Sequence, residues 1–143
     1  MSYFQVVGHD PPISSSDFLL EQDVKRMCRN LKETDECVVN VVPENMMPAV
    51  NATSVDALYG VSEWAISGLH QAPCTTVKPA RVKESVFSIE GRLRDLKEFE
   101  HHTKPGMSLA SLAVIEATMF WVREDAVNDG LSHIDLSILR LVA

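Results

Sequence analysis

The stretch MSLASLAVIEATMFWVREDAVND, from Met107 to Asp129, decides the fold predicted for this chain. The polar residues between Leu109 and Val122 are Ser111, Glu116 and Thr118. As a helix of about 3.6 residues per turn, the run would make about four turns and be apolar on nearly every side. Because such a helix cannot face water, we expect it at the centre of a helix bundle or of an assembly of chains.

The segment before it, 81–102, has the spacing of a helix that packs along another helix. Its apolar residues step by four, three, four and three, at Val82, Val86, Ile89, Leu93 and Leu96. The intervening positions are mostly charged, and Glu90 and Arg94 could pair at i,i+4. A stop at Lys104-Pro105-Gly106 joins the two segments, so we predict an antiparallel helical hairpin over 80–129.

Residues 1–79 are expected to form a small α/β part. β-branched and aromatic runs predict strands over 3–7 and 37–42. Helical spacing predicts an amphipathic helix over 17–32, with N-cap candidates among Ser14 to Asp17, and a second helix over 53–69 after a loop at 43–52. After the hairpin, residues 130–143 are compatible with a final strand or a short helix.

The predicted fold is therefore a single domain over 1–143, of the α+β class and predominantly helical. A small N-terminal α/β part precedes the antiparallel helical hairpin.

Composition limits the possible partners. The formal charge of −7 and the pI of about 5.1 argue against broad binding of DNA or RNA, which requires a basic face.

The opening MSYFQVVGHD lacks the regions of a signal peptide, and the longest apolar run is shorter than the roughly 20 residues of a membrane span. Cys28, Cys37 and Cys74 lack CxxC spacing and are expected to be reduced thiols. We expect a soluble, cytoplasmic protein without a membrane partner.

Motifs for catalysis or metal binding are weak. Glu98 and His101 form one ExxH, whereas di-iron bundles use two, so a solvated helix end is favoured. Glu116 is the one acid inside the apolar run; it needs a partner, which could be Arg123, Arg92 or a subunit interface. The sequence thus predicts no enzyme, no catalytic residue, no metal and no cofactor.

Cations gather around the predicted hairpin and could hold an anion. Free N–H groups at the start of the second helix, beside basic residues, would suit a phosphate. The candidate ligand-binding residues are Arg92, Arg94, Lys97, His102, Lys104, Ser108 and Arg123. Ordinary solvated cations are the alternative interpretation.

The return segment also carries a family resemblance. The matching positions are Ser108-Leu109-Ala110, Val114, Glu116-Ala117 and Met119-Phe120. Their order resembles the second hairpin helix of phage anti-defence proteins, the sponges that sequester cyclic nucleotide signals of bacterial immune systems (CBASS and Thoeris). Phe120 stands where that family has Trp, and Trp121 follows. The resemblance covers residues 81–129.

This resemblance implies a homo-oligomer that binds its ligand at subunit interfaces without cleaving it. The expected function is non-enzymatic sequestration of a cyclic di- or trinucleotide or a cyclic ADP-ribose type ligand, in the host cytoplasm if the protein is phage-encoded. Residues expected to pack within the oligomer are Leu109, Glu116, Met119, Phe120 and Trp121. The alternative is an oligomeric structural or protein-interaction module without a small-molecule ligand. A third hypothesis is an enzyme that acts through Glu116 or the Glu98–His101 pair.

Overall fold

Strands, rather than helices, make up most of the regular structure. The computed structural model describes residues 2–10, 12–19, 22–53, 62–100, 102–103 and 108–140. Within these ranges, the side chains of residues 2–7, 9, 12–19, 22–26 and 108–109 are not described. The strands are β1 Ser2–His9, β2 Pro12–Leu19, β3 Glu36–Asn40, β4 Gln71–Ala72, β5 Arg81–Val82, β6 Phe87–Glu100 and β7 Ser108–Val122.

The helices are short apart from the first. They are α1 Gln22–Thr34, α2 Met47–Thr53, α3 Glu63–Ser67 and α4 Leu136–Leu139, with 3-10 turns at Glu44–Met46 and Glu124–Ala126. No helix in these described ranges is long and apolar enough to cross a membrane.

A five-stranded sheet has the order β1-β2-β7-β6-β3. β2 runs antiparallel to both β1 and β7, with Ile13 opposite Glu116 and Leu19 opposite Ala110. β4 and β5 form a separate antiparallel pair in which Ala72 lies opposite Arg81.

The chain divides into two compact units. Unit 1 comprises Met1–Cys37 and Glu90–Thr118, and unit 2 comprises Val38–Ile89 and Met119–Ala143. The core of unit 1 is formed by Leu31, Ala113 and Ile115, against which Cys37, Leu93 and Leu96 pack. The core of unit 2 is formed by Val86, Ala126 and Leu139 together with Val41, Phe87, Val122, Ile134 and Ile138.

The prediction of a predominantly helical fold is wrong, and the apolar run over 108–122 shows why. A run that is apolar on every side is typical of a buried helix, but equally of a strand covered on both faces. In β7 the buried residues alternate, at Ser111, Ala113 and Ile115, which is the period of a strand. The side chains that pack against Ala113 and Ile115 include Leu31 of α1 and Leu93 and Leu96 of β6.

The predicted helix over 81–102 is wrong for a related reason. A step of four residues is also two periods of a strand, and Ile89 and Leu93 lie two such periods apart on β6. The step of three, from Leu93 to Leu96, arises because the alternation slips where Arg94 and Asp95 are both exposed. Glu90, expected on a solvated face and in a pair with Arg94, is fully buried.

Predictions for the N-terminal part are closer. The strand predicted over 3–7 is β1, and the one over 37–42 is β3. The first helix begins at Gln22 rather than at residue 17, because Ser14 to Asp17 belong to β2.

The predicted loop at 43–52 contains a 3-10 turn and most of α2. Of the second predicted helix, residues 54–61 lie outside the described residues, and α3 covers Glu63–Ser67. The tail contains the short helix α4.

Candidate functional site

In unit 2, a polar node fixes the position of β5. The Asn40 side-chain oxygen at the end of β3 accepts hydrogen bonds from the Val82 backbone N–H at 3.0 Å and from Ser88 Oγ at 2.9 Å. Ser88 is buried, so this amide satisfies a hydroxyl that has lost its contact with water. The node therefore holds β5 beside the ends of β3 and β6, and with it the neighbouring Arg81.

The Arg81 guanidinium lies over an aromatic ring. Its Cζ is 4.4 Å from the centroid of the Trp121 ring, an arrangement that is favourable for a guanidinium. Its Nε is buried and has no hydrogen-bond partner within the part of the chain that the structure describes. A buried donor on a charged group without an acceptor is costly and needs an explanation.

Unit 2 also contains an open cleft with a volume of about 660 Å³, a size typical of small-molecule sites. Its apolar surface comes from Val86 and Ile138, and its polar residues are Glu44, Asn45, Arg123, Asp125 and Arg140. An apolar surface with a few polar groups is what a ligand site usually offers.

Ion pairs restrain the two arginines of this cleft. Arg123 donates from Nε to Asp125 Oδ1 at 2.6 Å and from Nη2 to Oδ2 at 3.0 Å. This two-point contact lowers the pKa of Asp125 and raises that of Arg123. Arg140 Nη2 lies 3.0 Å from Glu44 Oε2. Because each cation faces a carboxylate, the cleft is nearly neutral, and we expect no strong attraction of anions to it.

A side-chain cap positions Arg140. At the start of α4, Asp135 Oδ1 accepts hydrogen bonds from Ser137 N at 2.8 Å and Ser137 Oγ at 2.6 Å. These bonds lower the pKa of Asp135. Arg140 follows the helix with a φ of 36°, and its carbonyl accepts the Glu44 N–H at 3.1 Å.

A histidine–carboxylate pair lies beside the β4–β5 strands. His70 Nδ1 is 2.6 Å from Glu84 Oε1, and the His70 backbone N–H donates to both oxygens of the same carboxylate. Burial raises the pKa of Glu84, but the hydrogen bonds from His70 outweigh it, so the pKa is lowered below its usual value of 4.5. The pair ties residue 70 to the turn that follows β5.

The cysteine near the core of unit 1 is unsuited to nucleophilic chemistry. Burial raises the pKa of Cys37 to about 11, so the thiol stays protonated near neutral pH. No group of three or more His, Cys, Asp or Glu residues that could hold a metal is found among the described residues.

The residues predicted to bind a ligand fall in different elements and in both units of the described chain. Arg92, Arg94 and Lys97 lie on β6 in unit 1, and Arg123 follows β7 in unit 2. His102 lies in a turn, and Lys104 lies outside the described residues. Ser108 begins β7, so the helix N-terminus that was expected to hold a phosphate does not exist.

The residues predicted to pack in an oligomer all lie on β7. Glu116 pairs with Arg94 rather than with Arg92 or Arg123. Phe120 is 46% exposed and stacks on Phe87 with a centroid distance of 6.0 Å. Met119 is half-buried, and of Leu109 the backbone alone is described. A homo-oligomer was predicted because a helix that is apolar on all sides must be buried, and this reason does not hold for a strand.

Sequence reasoning missed Arg81, Asn40, Asp125 and Arg140. The sequence of the tail did contain a signal. Asp135 and Ser137 form a helix-capping sequence shortly before Arg140. No comparable local signal marks Arg81 or Asn40, because they lie 41 positions apart in the sequence and the tertiary fold brings their strands together.

Two curated relatives resemble this chain. An uncharacterized protein of Halalkalibacterium halodurans is 28% identical over 144 residues, which covers 99% of this chain and 67% of that protein. An uncharacterized protein of Aquifex aeolicus is 31% identical over 94 residues, which covers 64% of this chain and 48% of that protein. The chain therefore spans about two thirds of the length of the first relative. The segment that matches the second relative spans about half of that relative's length.

Solved structures share the fold. Nitrilotriacetate monooxygenase component B from Bacillus cereus superposes with a TM-score of 0.83 at 23% identity, over 99% of this chain and 70% of that one. Flavoredoxin of Desulfovibrio vulgaris gives 0.74 at 16% identity, over 95% and 66%. The NADH:FAD oxidoreductase SgcE6 of Streptomyces globisporus gives 0.66 at 13% identity, over 85% and 65%.

A family model described as flavin reductase like domain matches residues 1–137. This match overturns the resemblance to phage anti-defence sponges, which rested on a hairpin that is not helical. The predicted sequestration of cyclic di- or trinucleotides or cyclic ADP-ribose is wrong, and so is the prediction of a non-enzymatic protein. Because the match spans nearly the whole sequence, this chain belongs to the flavin reductase like domain family.

Proposed function

We propose that this protein binds a flavin nucleotide and transfers reducing equivalents from a reduced nicotinamide nucleotide to it. The observation that carries the proposal is the family match over residues 1–137. Two proteins of the same fold bear names of this chemistry, a flavoredoxin and an NADH:FAD oxidoreductase. We extend the proposal to a cytoplasmic location, because reduced nicotinamide nucleotides are abundant in that compartment.

The residues of unit 2 fit part of such a cofactor. A flavin nucleotide joins a flat ring system to an anionic phosphate, so it needs a donor for the phosphate. Arg81 is a half-buried cation beside the Trp121 ring, and a guanidinium is a strong donor to phosphate oxygens. Arg81, whose guanidinium lies over Trp121, is therefore the residue that we expect to hold the cofactor.

When bound, a flavin supplies a ring that accepts a hydride, and the protein supplies binding, orientation and electrostatics. In this chain the Asn40 node holds the backbone of β5 next to Arg81, and the Trp121 ring lies against the guanidinium. Fixing a binding group in advance lowers the entropic cost of binding. The cleft between Glu44 and Arg123 is a second place where a small molecule could lie in unit 2.

Binding is tested first, with the purified full chain. FMN, FAD and riboflavin are titrated with the protein while flavin fluorescence and the melting temperature are followed. We expect at least one of the three to bind saturably and to raise the melting temperature, because a ligand that binds the native state stabilises it. The absence of binding by all three would contradict the proposal.

Electron transfer is tested next, under anaerobic conditions. NADH or NADPH is mixed with protein and oxidised flavin, and the loss of the flavin absorbance is recorded. One hydride from the nicotinamide and one proton from water convert the oxidised flavin to its reduced form, so the reductant is consumed in equal amount. A rate equal to that of flavin and nicotinamide without protein would show that the chain is not a reductase.

A further inference from the structure

The cleft of unit 2 is lined by segments that backbone hydrogen bonds hold together. The Glu44 N–H donates to the Arg140 carbonyl at 3.1 Å, and the Arg123 N–H donates to the Val86 carbonyl at 2.9 Å. Each of these four residues lines the cleft. Because its walls are joined in this way before a ligand arrives, little of the binding energy is lost in ordering them.

The two arginines of the cleft differ in how far their donors are used. Arg123 donates to both carboxylate oxygens of Asp125. Arg140 contacts another side chain at one point, where its Nη2 lies 3.0 Å from Glu44 Oε2. Both side chains of this second pair are about two thirds exposed, so water screens the pair and it holds the guanidinium weakly. The described residues engage no other nitrogen of the Arg140 side chain, so its Nε and Nη1 donors are available to a ligand.

The backbone of Arg140 is a second, independent reason to assign a role to this side chain. Arg140 follows α4 with a φ of 36°, in the left-handed region. Glycine is the usual residue at such a helix end, because a side chain adds steric strain there. An exposed and weakly paired arginine does not offset that strain through packing. Strained positions of this kind are frequent where a protein holds a ligand.

We propose that this cleft binds a small molecule with one carboxylate on an apolar body, and that Arg140 donates to the carboxylate. A guanidinium edge matches the two oxygens of a carboxylate. The apolar body would lie against Ile138, a half-buried residue of the cleft wall. One negative charge is favoured over two, because Glu44 and Asp125 also line the cleft and repel a dianion. The site involves neither Arg81 nor a flavin, so it does not depend on the function proposed above.

The probe for this site is 1-naphthoate, and its binding is measured by titration calorimetry on the full chain without flavin. Acetate lacks the apolar body, 1-naphthalenemethanol lacks the charge, and 1-naphthyl phosphate carries up to two charges. We expect 1-naphthoate to bind at least about tenfold more tightly than each of the three, the ratio that one charge-assisted contact gives. Equal or tighter binding of any of the three would overturn the assignment of a monocarboxylate site.

Two variants separate binding from folding. Arg140→Gly removes the guanidinium and relieves the left-handed backbone, so it should melt no lower than the unsubstituted protein yet bind 1-naphthoate at least about tenfold more weakly. Glu44→Gln removes the charge that competes for Arg140, so it should bind 1-naphthoate several-fold more tightly. Both variants should bind 1-naphthalenemethanol unchanged. Arg29→Gln, at an exposed position of α1, is the control and should behave as the unsubstituted protein.

Hydrogen exchange locates the bound probe. With 1-naphthoate the amides of Glu44 and Arg140 should exchange several-fold more slowly, while those of β1 and β2 should not change. The site is overturned if Arg140→Gly keeps its affinity or melts well below the unsubstituted protein, if Glu44→Gln binds more weakly, or if protection appears outside the cleft. Binding of a flavin but not of 1-naphthoate would overturn this site and leave the proposed function standing, and the reverse result would do the opposite.

Discussion

Gly91 on β6 has room for a hydrogen and nothing larger. A Cβ at this position would lie 2.4 Å from Ile115 Cγ2 and 3.3 Å from the Glu116 carbonyl oxygen. Real Cβ atoms do not approach so closely, so Ile115 or the β7 backbone would have to move. The glycine therefore permits the close approach of the two strands in the core of unit 1.

We predict that Gly91→Ala destabilises the protein by about 1–3 kcal/mol, the usual cost of overpacking a core. The free energy of unfolding is measured by urea titration. Gly130→Ala is the matched control, because the nearest atoms to a Cβ there are 3.7 Å away, an ordinary contact. Ile115→Leu removes Cγ2, so the double variant should lose less than the sum of the single losses. Strict additivity would show that the contact with Ile115 is not the cause.

The His70–Glu84 pair predicts how stability changes at acidic pH. The pKa of Glu84 is lowered below 4.5 in the folded protein, so the carboxylate stabilises the fold above that value. This contribution is lost as the pH falls through the folded pKa. Because both side chains are partly exposed, we expect about a few tenths of a kcal/mol.

Thermal melting between neutral and acidic pH checks this prediction. Glu84→Gln should melt lower than the unsubstituted protein at neutral pH, and the difference should shrink as the pH falls below 4.5. Glu33→Gln on α1, where the side chain is exposed, serves as the control. A difference that stays constant with pH would mean that the pair contributes through packing and not through its charge.

At the scale of elements, α4 is a helix of four residues whose position depends on its cap. Asp135 satisfies the Ser137 N–H at 2.8 Å, and the Leu139 side chain is buried in the core of unit 2. The helix ends at Arg140, whose left-handed backbone directs its carbonyl to the Glu44 N–H. The cap, the core residue and the ion pair with Glu44 therefore act on one short segment.

Asp135→Ala should loosen this segment, because the Ser137 N–H loses its acceptor. Hydrogen exchange of the amides of residues 137–140 is expected to become several-fold faster, while exchange in β7 is unchanged. Asp135→Ser keeps a capping oxygen and should resemble the unsubstituted protein. Equal protection in the alanine variant would show that the Leu139 contact alone holds the helix.

The sequence allowed the N-terminal elements to be predicted but not the hairpin of β6 and β7. β3 was predicted because its β-branched run ends at a proline, a local signal. Residues 108–122 offered no such signal, since an apolar run on all sides fits both a buried helix and a strand covered on two faces. Glu90 misled further, because a glutamate usually lies on a solvated face, whereas this one is fully buried.

At the scale of the whole molecule, the acidic charge explains part of the error in function and limits the proposed ligand. A charge of −7 argues against a broad anion-binding surface, and the structure agrees in that four of the six arginines with described side chains pair with a carboxylate. Charge alone does not exclude one phosphate held by one arginine. Arg81 lay in a segment that the sequence placed on a helix, so its relation to Asn40 and Trp121 was not visible.

The same charge predicts how salt changes the approach of FMN. A phosphate of about −1.5 to −2 is repelled at long range by an acidic protein, and salt screens that repulsion. From about 0.01 M to about 0.15 M salt, the Debye length falls from about 30 Å to about 8 Å. The contact with the partly buried Arg81 is screened less than the long-range repulsion.

The association rate of FMN, measured by stopped-flow fluorescence, should therefore rise with salt, whereas that of uncharged riboflavin should stay constant. A rate that falls with salt would require a basic approach path to the site, in conflict with the carboxylates that face Arg123 and Arg140 in unit 2.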